Sequence, residues 1–192
     1  MKRILALAAG LFAAAAQGAP PVTVYEVEVI VFENHLTSLE GGELWTRTAP
    51  RPAPMFDLAE AVNPTDTAPL DSPLSTAVSS LQREGSYRVL LHQRWRQSAE
   101  EKSASKPVRL QTTDNQLDGG LRFYMSRFLH VDVDLTLKEK DANDRGYRLV
   151  EHRRIKTQEL NYFDHPKLGV LVKITPVGKN DAARPTVKPR RS

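Results

Sequence analysis

The chain has 192 residues, with 27 Lys and Arg against 23 Asp and Glu, five His and no Cys. Without cysteine there is no disulfide scaffold, no thiol nucleophile and no acyl anchor of the bacterial lipoprotein kind. The nominal charge of +4 sits at the ends of the chain, and that argues against a nucleic-acid-binding body.

Lys2 and Arg3 precede the apolar run 4–16, "ILALAAGLFAAAA". The run is shorter than the ~20 residues a membrane-spanning helix needs. Ala16, Gln17 and Gly18 fit the small-x-small cleavage rule. Residues 1–18 are therefore expected to be a signal peptide cut before Ala19, giving a periplasmic protein with no transmembrane segment after cleavage. At the other end, residues 178–192 carry Lys179, Arg184, Lys188, Arg190 and Arg191 against Asp181. Without leader and tail, 20 basic and 22 acidic residues remain. The tail is Pro-rich and aperiodic and is expected to be disordered. Residues 19–177 are expected to form one domain with an ordinary core.

"VTVYEVEVIVF" alternates as a strand does. Tyr25, Val27, Val29 and Val31 share one face, Glu26 and Glu28 the other, and Ile30 and Phe32 bury that second face near its end. A Pro-rich stretch over about 33–71 has no sustained period and reads as a long loop. A helix follows, with Ser72 as its cap, Pro73 in its first position, a stripe of Leu74, Ala77, Val78 and Leu81, and Gly85 as a left-handed stop. "SYRVLLHQRWRQ" reads as a strand with Tyr87, Val89, Leu91 and Trp95 on one face. "PVRLQT" is a short edge strand. From Leu117 the odd positions stay apolar through Leu137, except Arg127. This is one long bent strand or two strands joined without a slip, since a one-residue slip exchanges the faces. "YRLVEHRRIK" returns as a hairpin, "LNYFDHPKLG" carries turn chemistry, and "VLVKITPV" is a last strand. The predicted class is α+β, a mostly antiparallel sheet with one packed helix.

His130, Asp132 and Asp134 share the even face of "RFLHVDVDLTL". The returning strand offers Arg148, His152, Arg154 and Lys156 opposite them, so a solvated, salt-bridged face is expected rather than a metal site. No histidine stands in a HExxH pair, no serine in a G-x-S-x-G elbow, and no phosphate-binding glycine loop is present. Neither catalysis nor a cofactor is expected. Binding remains. Arg94 beside Trp95, Arg127 with its neighbour His130, and Tyr162, Asp164 and His165 in the expected turn are the candidate contacts. A core position for Trp95, and an internal pair of Arg127 with Asp118 or a turn carboxylate, are the structural alternatives.

Four segments together resemble the CsiV family of periplasmic peptidoglycan-binding proteins. They are "YEVEVIVFEN", "YRVLLHQRWRQ", "LDGGLRFYMSRFLHVDVDLTL" and "NYFDHPKLGVLVKITP", in that order. The resemblance spans nearly all of the chain between leader and tail except the Pro-rich loop. It implies a non-catalytic protein of the Gram-negative envelope that supports cell-wall assembly. The implied partners are peptidoglycan and an outer-membrane lipoprotein that activates a class A penicillin-binding protein. The residues alone leave open a protein–protein adaptor that does not touch the wall, and a wall hydrolase.

Overall fold

The computed structural model describes residues 23–35, 53–64, 71–139 and 146–178. The expected signal peptide and its cleavage point, the expected tail beyond Gly178 and most of the Pro-rich loop lie outside the described residues.

The elements are β1 (Val24–Asn34), a 3-10 turn (Leu58–Glu60), α1 (Ser75–Arg83), β2 (Tyr87–Ser98), β3 (Val108–Arg109), β4 (Leu117–Met125), β5 (Leu129–Lys138), β6 (Gly146–Ile155), β7 (Leu160–His165) and β8 (Leu168–Pro176). The α+β class holds, but the strands form two four-stranded sheets instead of one, ordered β2-β1-β8-β7 and β3-β4-β5-β6. Every strand pairing in them is antiparallel.

The two sheets pack face to face on one core. Tyr25, Val27, Val29 and Val31 of β1 meet Leu121, Phe123, Val131, Val133 and Leu135 of β4 and β5. The rings of Tyr25 and Phe123 touch edge to face at 5.3 Å. A smaller second core lies on the far side of β1, where Ile30 and Phe32 pack under Leu74, Ala77, Val78 and Leu81 of the helical segment. Strand β1 is thus buried on both faces, as its changing alternation predicts. The order of layers is helix, first sheet, second sheet. The outer face of the second sheet is left for polar groups and for the segment 53–64.

Three local expectations change. The face proposed for Tyr87, Val89, Leu91 and Trp95 is broken, because Val31 pairs with Leu91 while Phe32 pairs with Val89. Leu90 is the extra residue of a β-bulge, which flips the phase of the strand. Tyr87 and Val89 therefore join the helix-side core, and Leu91 and Trp95 the inter-sheet core. Second, α1 starts at Ser75 with no side-chain cap. The amide of Leu74 instead donates to Oε1 of Glu28 at 3.2 Å, because a carboxylate under a helix N-terminus is a stronger acceptor than a hydroxyl. Gly85 does take the left-handed conformation, with φ of 61°. Third, residues 162–165 belong to strand β7, and the turn falls on Pro166 and Lys167, between the paired His165 and Leu168.

The long apolar phase resolves as a hairpin. Met125 pairs with Leu129 across a three-residue turn, 126–128. An odd-numbered loop pairs odd residues with odd ones, so one phase survives the reversal. Gly119 of β4 lies against β5 with φ of 153°, and a Cβ there would stand 2.1 Å from the carbonyl oxygen of Asp134. Only glycine adopts this backbone freely. Gly119→Ala is expected to cost about 2 kcal/mol or more, read as a fall in Tm. An unchanged Tm would overturn the packing of β4 on β5 described above.

Candidate functional site

Even-numbered residues of β4, β5 and β6 share the outer face of the second sheet. Register sets Arg122 opposite Asp132, Tyr124 opposite His130, His152 opposite Asp132 and Arg154 opposite His130. The segment 53–64 lies over part of this face. Its Phe56 and Leu58 rest where Gly120 leaves room, since a Cβ at Gly120 would stand 3.1 Å from the ring of Phe56. The amide of Met55 donates to Asp134 at 3.1 Å, and its carbonyl accepts from Arg122 at 3.2 Å.

Asp132 is fully buried, and Asp134 is 8% exposed. The expected row is salt-bridged, but it is not the wet side of a sheet. Asp132 accepts from Arg122 at 2.8 Å and lies 2.6 Å from Nδ1 of His152. Lys102, on the loop after β2, comes within 3.5 Å. Asp134 is gripped by two nitrogens of Arg148 at 2.8 and 2.7 Å. Burial opposes ionisation of Asp132. The hydrogen bonds of His152 and Arg122 and the charges of Lys102 and Arg122 outweigh it, holding the carboxyl below its ordinary range. A carboxylate held ionised in this way is a poor general acid.

Tyr124, His130 and His152 stack in a row, with ring centroids 5.2 Å apart for the first pair and 5.1 Å for the second. Nδ1 of His130 is buried with no hydrogen-bond partner among the described residues. Burial and then the charge of His152 push its pKa down, with Arg154 and Lys102 adding, against the pull of Asp132. At the end of this row the β4–β5 turn projects Phe128, which is 37% exposed. The guanidinium of Arg154 lies 3.3 Å from the centre of its ring and that of Arg127 lies 5.4 Å away. No carboxylate pairs with either arginine among the described residues.

The candidates from sequence separate into three places. His130 lies on this face beside Arg154, and Arg127 stands at its end in the β4–β5 turn, over Phe128. Arg127 does not interrupt the apolar row, because it sits in the exposed turn, and Asp118 pairs with Arg109 instead, at 2.7 Å. Arg94 lies on the helix side of the first sheet, 3.4 Å from Glu26. Trp95, next to it, points the other way into the core at 4% exposure, with its indole N–H on Gln97. Tyr162, Asp164 and His165 lie on β7. The Tyr162 hydroxyl donates to Asp164 at 2.7 Å, and burial together with that bond raises its pKa. His165 accepts from the amide of Lys167, and burial lowers its pKa against the charge of Asp164.

Arg122, Tyr124, Lys102 and Phe128 escape the sequence reading. A turn placed at 126–128 brings Arg122 onto Asp132 and Tyr124 onto His130 by counting alone. "YMSRFL" offers no Gly, Pro or Asn to mark that turn, so the signal was parity rather than composition. A second polar group, Ser72, His92 and Glu28, looks like a serine triad in composition but not in geometry. Nε2 of His92 is the atom near both Ser72, at 3.5 Å, and Glu28, at 2.7 Å. A relay needs the two partners on opposite ring nitrogens, and Ser72 is 4% exposed. This cluster seats the helix. Among the described residues no three His, Asp or Glu side chains converge as metal ligands.

Asp132→Asn takes the counter-charge from Arg122 and Lys102 and the charged hydrogen-bond partner from His152. It is expected to cost about 3 kcal/mol, well above the ~1 kcal/mol of a solvated pair. The folded carboxyl titrates below its unfolded value of about 3.9. Its contribution is therefore present above about pH 4 and lost as pH falls through the folded value. Denaturant unfolding of both proteins at pH 7 and pH 3 reads this, and a gap under about 1 kcal/mol at pH 7 would contradict it.

A search of curated proteins and a search of solved structures each return no match. The family model described as "Peptidoglycan-binding protein, CsiV" matches residues 60–177, which take in α1, both faces of the second sheet and the whole basic and aromatic row. That match covers more than half of the chain, and the chain belongs to the CsiV family of peptidoglycan-binding proteins.

Proposed function

We propose that this is a non-catalytic periplasmic protein that holds peptidoglycan on the outer face of β4, β5 and β6, at the end where Arg127, Phe128, His130 and Arg154 meet. The observation that carries the reading is the pair of guanidiniums on Phe128 with no carboxylate partner among the described residues. Around them Lys102 and Arg122 face the single carboxylate of Asp132. Peptidoglycan is a polymer of sugar rings and free carboxylates. Arginine forks match carboxylates, and an exposed aromatic ring offers a stacking surface. Export by a cleaved leader, residues 1–18, and one folded domain followed by a basic tail from 178 complete the reading. Arg94, paired with Glu26, and the buried Trp95 are left out of the contact.

A role in wall assembly with an outer-membrane lipoprotein activator is part of the same proposal, and a different surface supports it. Leu160 and Tyr162 are 54% and 43% exposed on β7, which is an edge strand of the first sheet. Edge strands with exposed apolar side chains pair with partners. If this surface acts alone, the protein is an adaptor that does not hold the wall.

Co-sedimentation with purified sacculi separates the two. Arg127→Ala combined with Arg154→Ala is expected to weaken binding about tenfold with Tm within a few degrees. Replacing Leu160 and Tyr162 by Ser should leave sedimentation unchanged, and added salt should weaken it. A folded wild-type protein that does not sediment favours the adaptor.

A further inference from the structure

The cation-rich end of the second sheet faces two chemically distinct parts of the polymer, uncharged sugar rings and acidic peptide stems. Arg127 and Arg154 lie at most 8.7 Å apart, the combined reach of their distances to one ring centre. Two guanidiniums so close without a carboxylate between them repel, and an arriving carboxylate relieves that repulsion. A neutral sugar does not. Beside Arg154 stands His130, opposite it in register, its Nδ1 buried and without a partner among the described residues. We infer that this surface takes the free carboxylates of peptidoglycan's peptide stems rather than its uncharged sugars, and that His130 takes up a proton from solvent as the carboxylate arrives. The inference rests on the wall-binding reading above and narrows it to a substrate class and a specificity-determining residue.

The proton follows from the charges that face His130 on every side. Strand β4 contributes Arg122 and Tyr124, β5 contributes Asp132, and β6 contributes His152 and Arg154. The loop after β2 contributes Lys102, whose ammonium lies 5.1 Å over the ring of Tyr124. The same loop brings Glu100 and Glu101 alongside Met125 through backbone contacts, both exposed. The hairpin turn brings Arg127. Within the row itself cations outnumber the one carboxylate, and Asp132 is already shared by Arg122, His152 and Lys102. The free protein therefore disfavours the protonated form of His130, its pKa lowered from the ordinary 6.5 by burial and by His152. A ligand carboxylate supplies a second negative charge and raises that pKa. By linkage, a group whose pKa rises on binding strengthens binding below its bound-state value. Affinity therefore grows as pH falls from neutrality toward the free-state value, until the ligand carboxylates themselves protonate near pH 4.

Isothermal titration of the full-length protein with the soluble stem peptide L-Ala–γ-D-Glu–meso-diaminopimelate, and separately with neutral chitotetraose, tests this at pH 5.5 and 7.5. Stem-peptide binding is expected, about fivefold tighter at pH 5.5, with no binding of chitotetraose. Arg127→Ala with Arg154→Ala should weaken it about tenfold. His130→Phe keeps an aromatic ring in the stack and should reduce the pH ratio to below about twofold. Chitotetraose binding without stem-peptide binding overturns the inference. So does a pH ratio that His130→Phe leaves intact. Sedimentation with whole sacculi in the absence of stem-peptide binding overturns it while wall binding stands. Failure to bind sacculi as well removes the wall-binding reading itself.

Discussion

A carboxylate with no contact to water must find its partners inside the protein, and Asp132 finds three. Arg122 comes from β4, His152 from β6 and Lys102 from the loop after β2. Each is held where it is by an element of its own. Arg122 also binds the carbonyl of Met55, so the segment 53–64 is tied to the same charge. Removing a partner from such a cluster leaves a buried charge exposed to the low-dielectric interior, and that cost keeps the three strands and the covering segment in one arrangement. The stack of Tyr124, His130 and His152 is a consequence. Its rings sit on the strands that Asp132 holds together.

The first sheet is organised by a different constraint. Strand β1 must bury both faces, and each needs its own cover. The second sheet covers one and α1 covers the other. Glu28 sits under the helix with 2% exposure and accepts from both Leu74 and His92. A buried acid is costly unless it is hydrogen-bonded, and here it also fixes where the helix begins. The bulge at Leu90 lets β2 serve both cores, since a strand of fixed phase feeds only one.

The surface proposed to hold the wall lies where these constraints run out. The β4–β5 turn lies beyond the core, and Arg127 and Arg154 carry charge there over the ring of Phe128, with no carboxylate partner among the described residues. Buried ion pairs elsewhere on the face are closed to ligands because their partners are internal. Membership of a peptidoglycan-binding family and an unmatched cationic end on an aromatic surface are independent observations that point the same way.

The amino-acid sequence by itself determined where most of the strands run and, wherever a strand is unbroken, which face it buries. The alternation of Tyr25, Val27, Val29 and Val31, the second apolar face at Ile30 and Phe32, the short edge strand at Val108 and the return of β6 against β5 were all legible. Alternation is a property of the local chain and needs no partner to be seen. Tertiary structure decided what stood opposite what. Trp95 and Tyr87, eight residues apart and in one phase, fell into different cores because a single bulge lay between them. Arg127 left an apolar row because the row turned back on itself without a glycine to mark the place. Asp132 changed from a solvated acid to a buried one because Arg122 and the distant segment at Met55 closed over it. Pairing across strands and layers depends on residues far apart in the chain, and their contacts are set by the sum of the packing rather than by any local period.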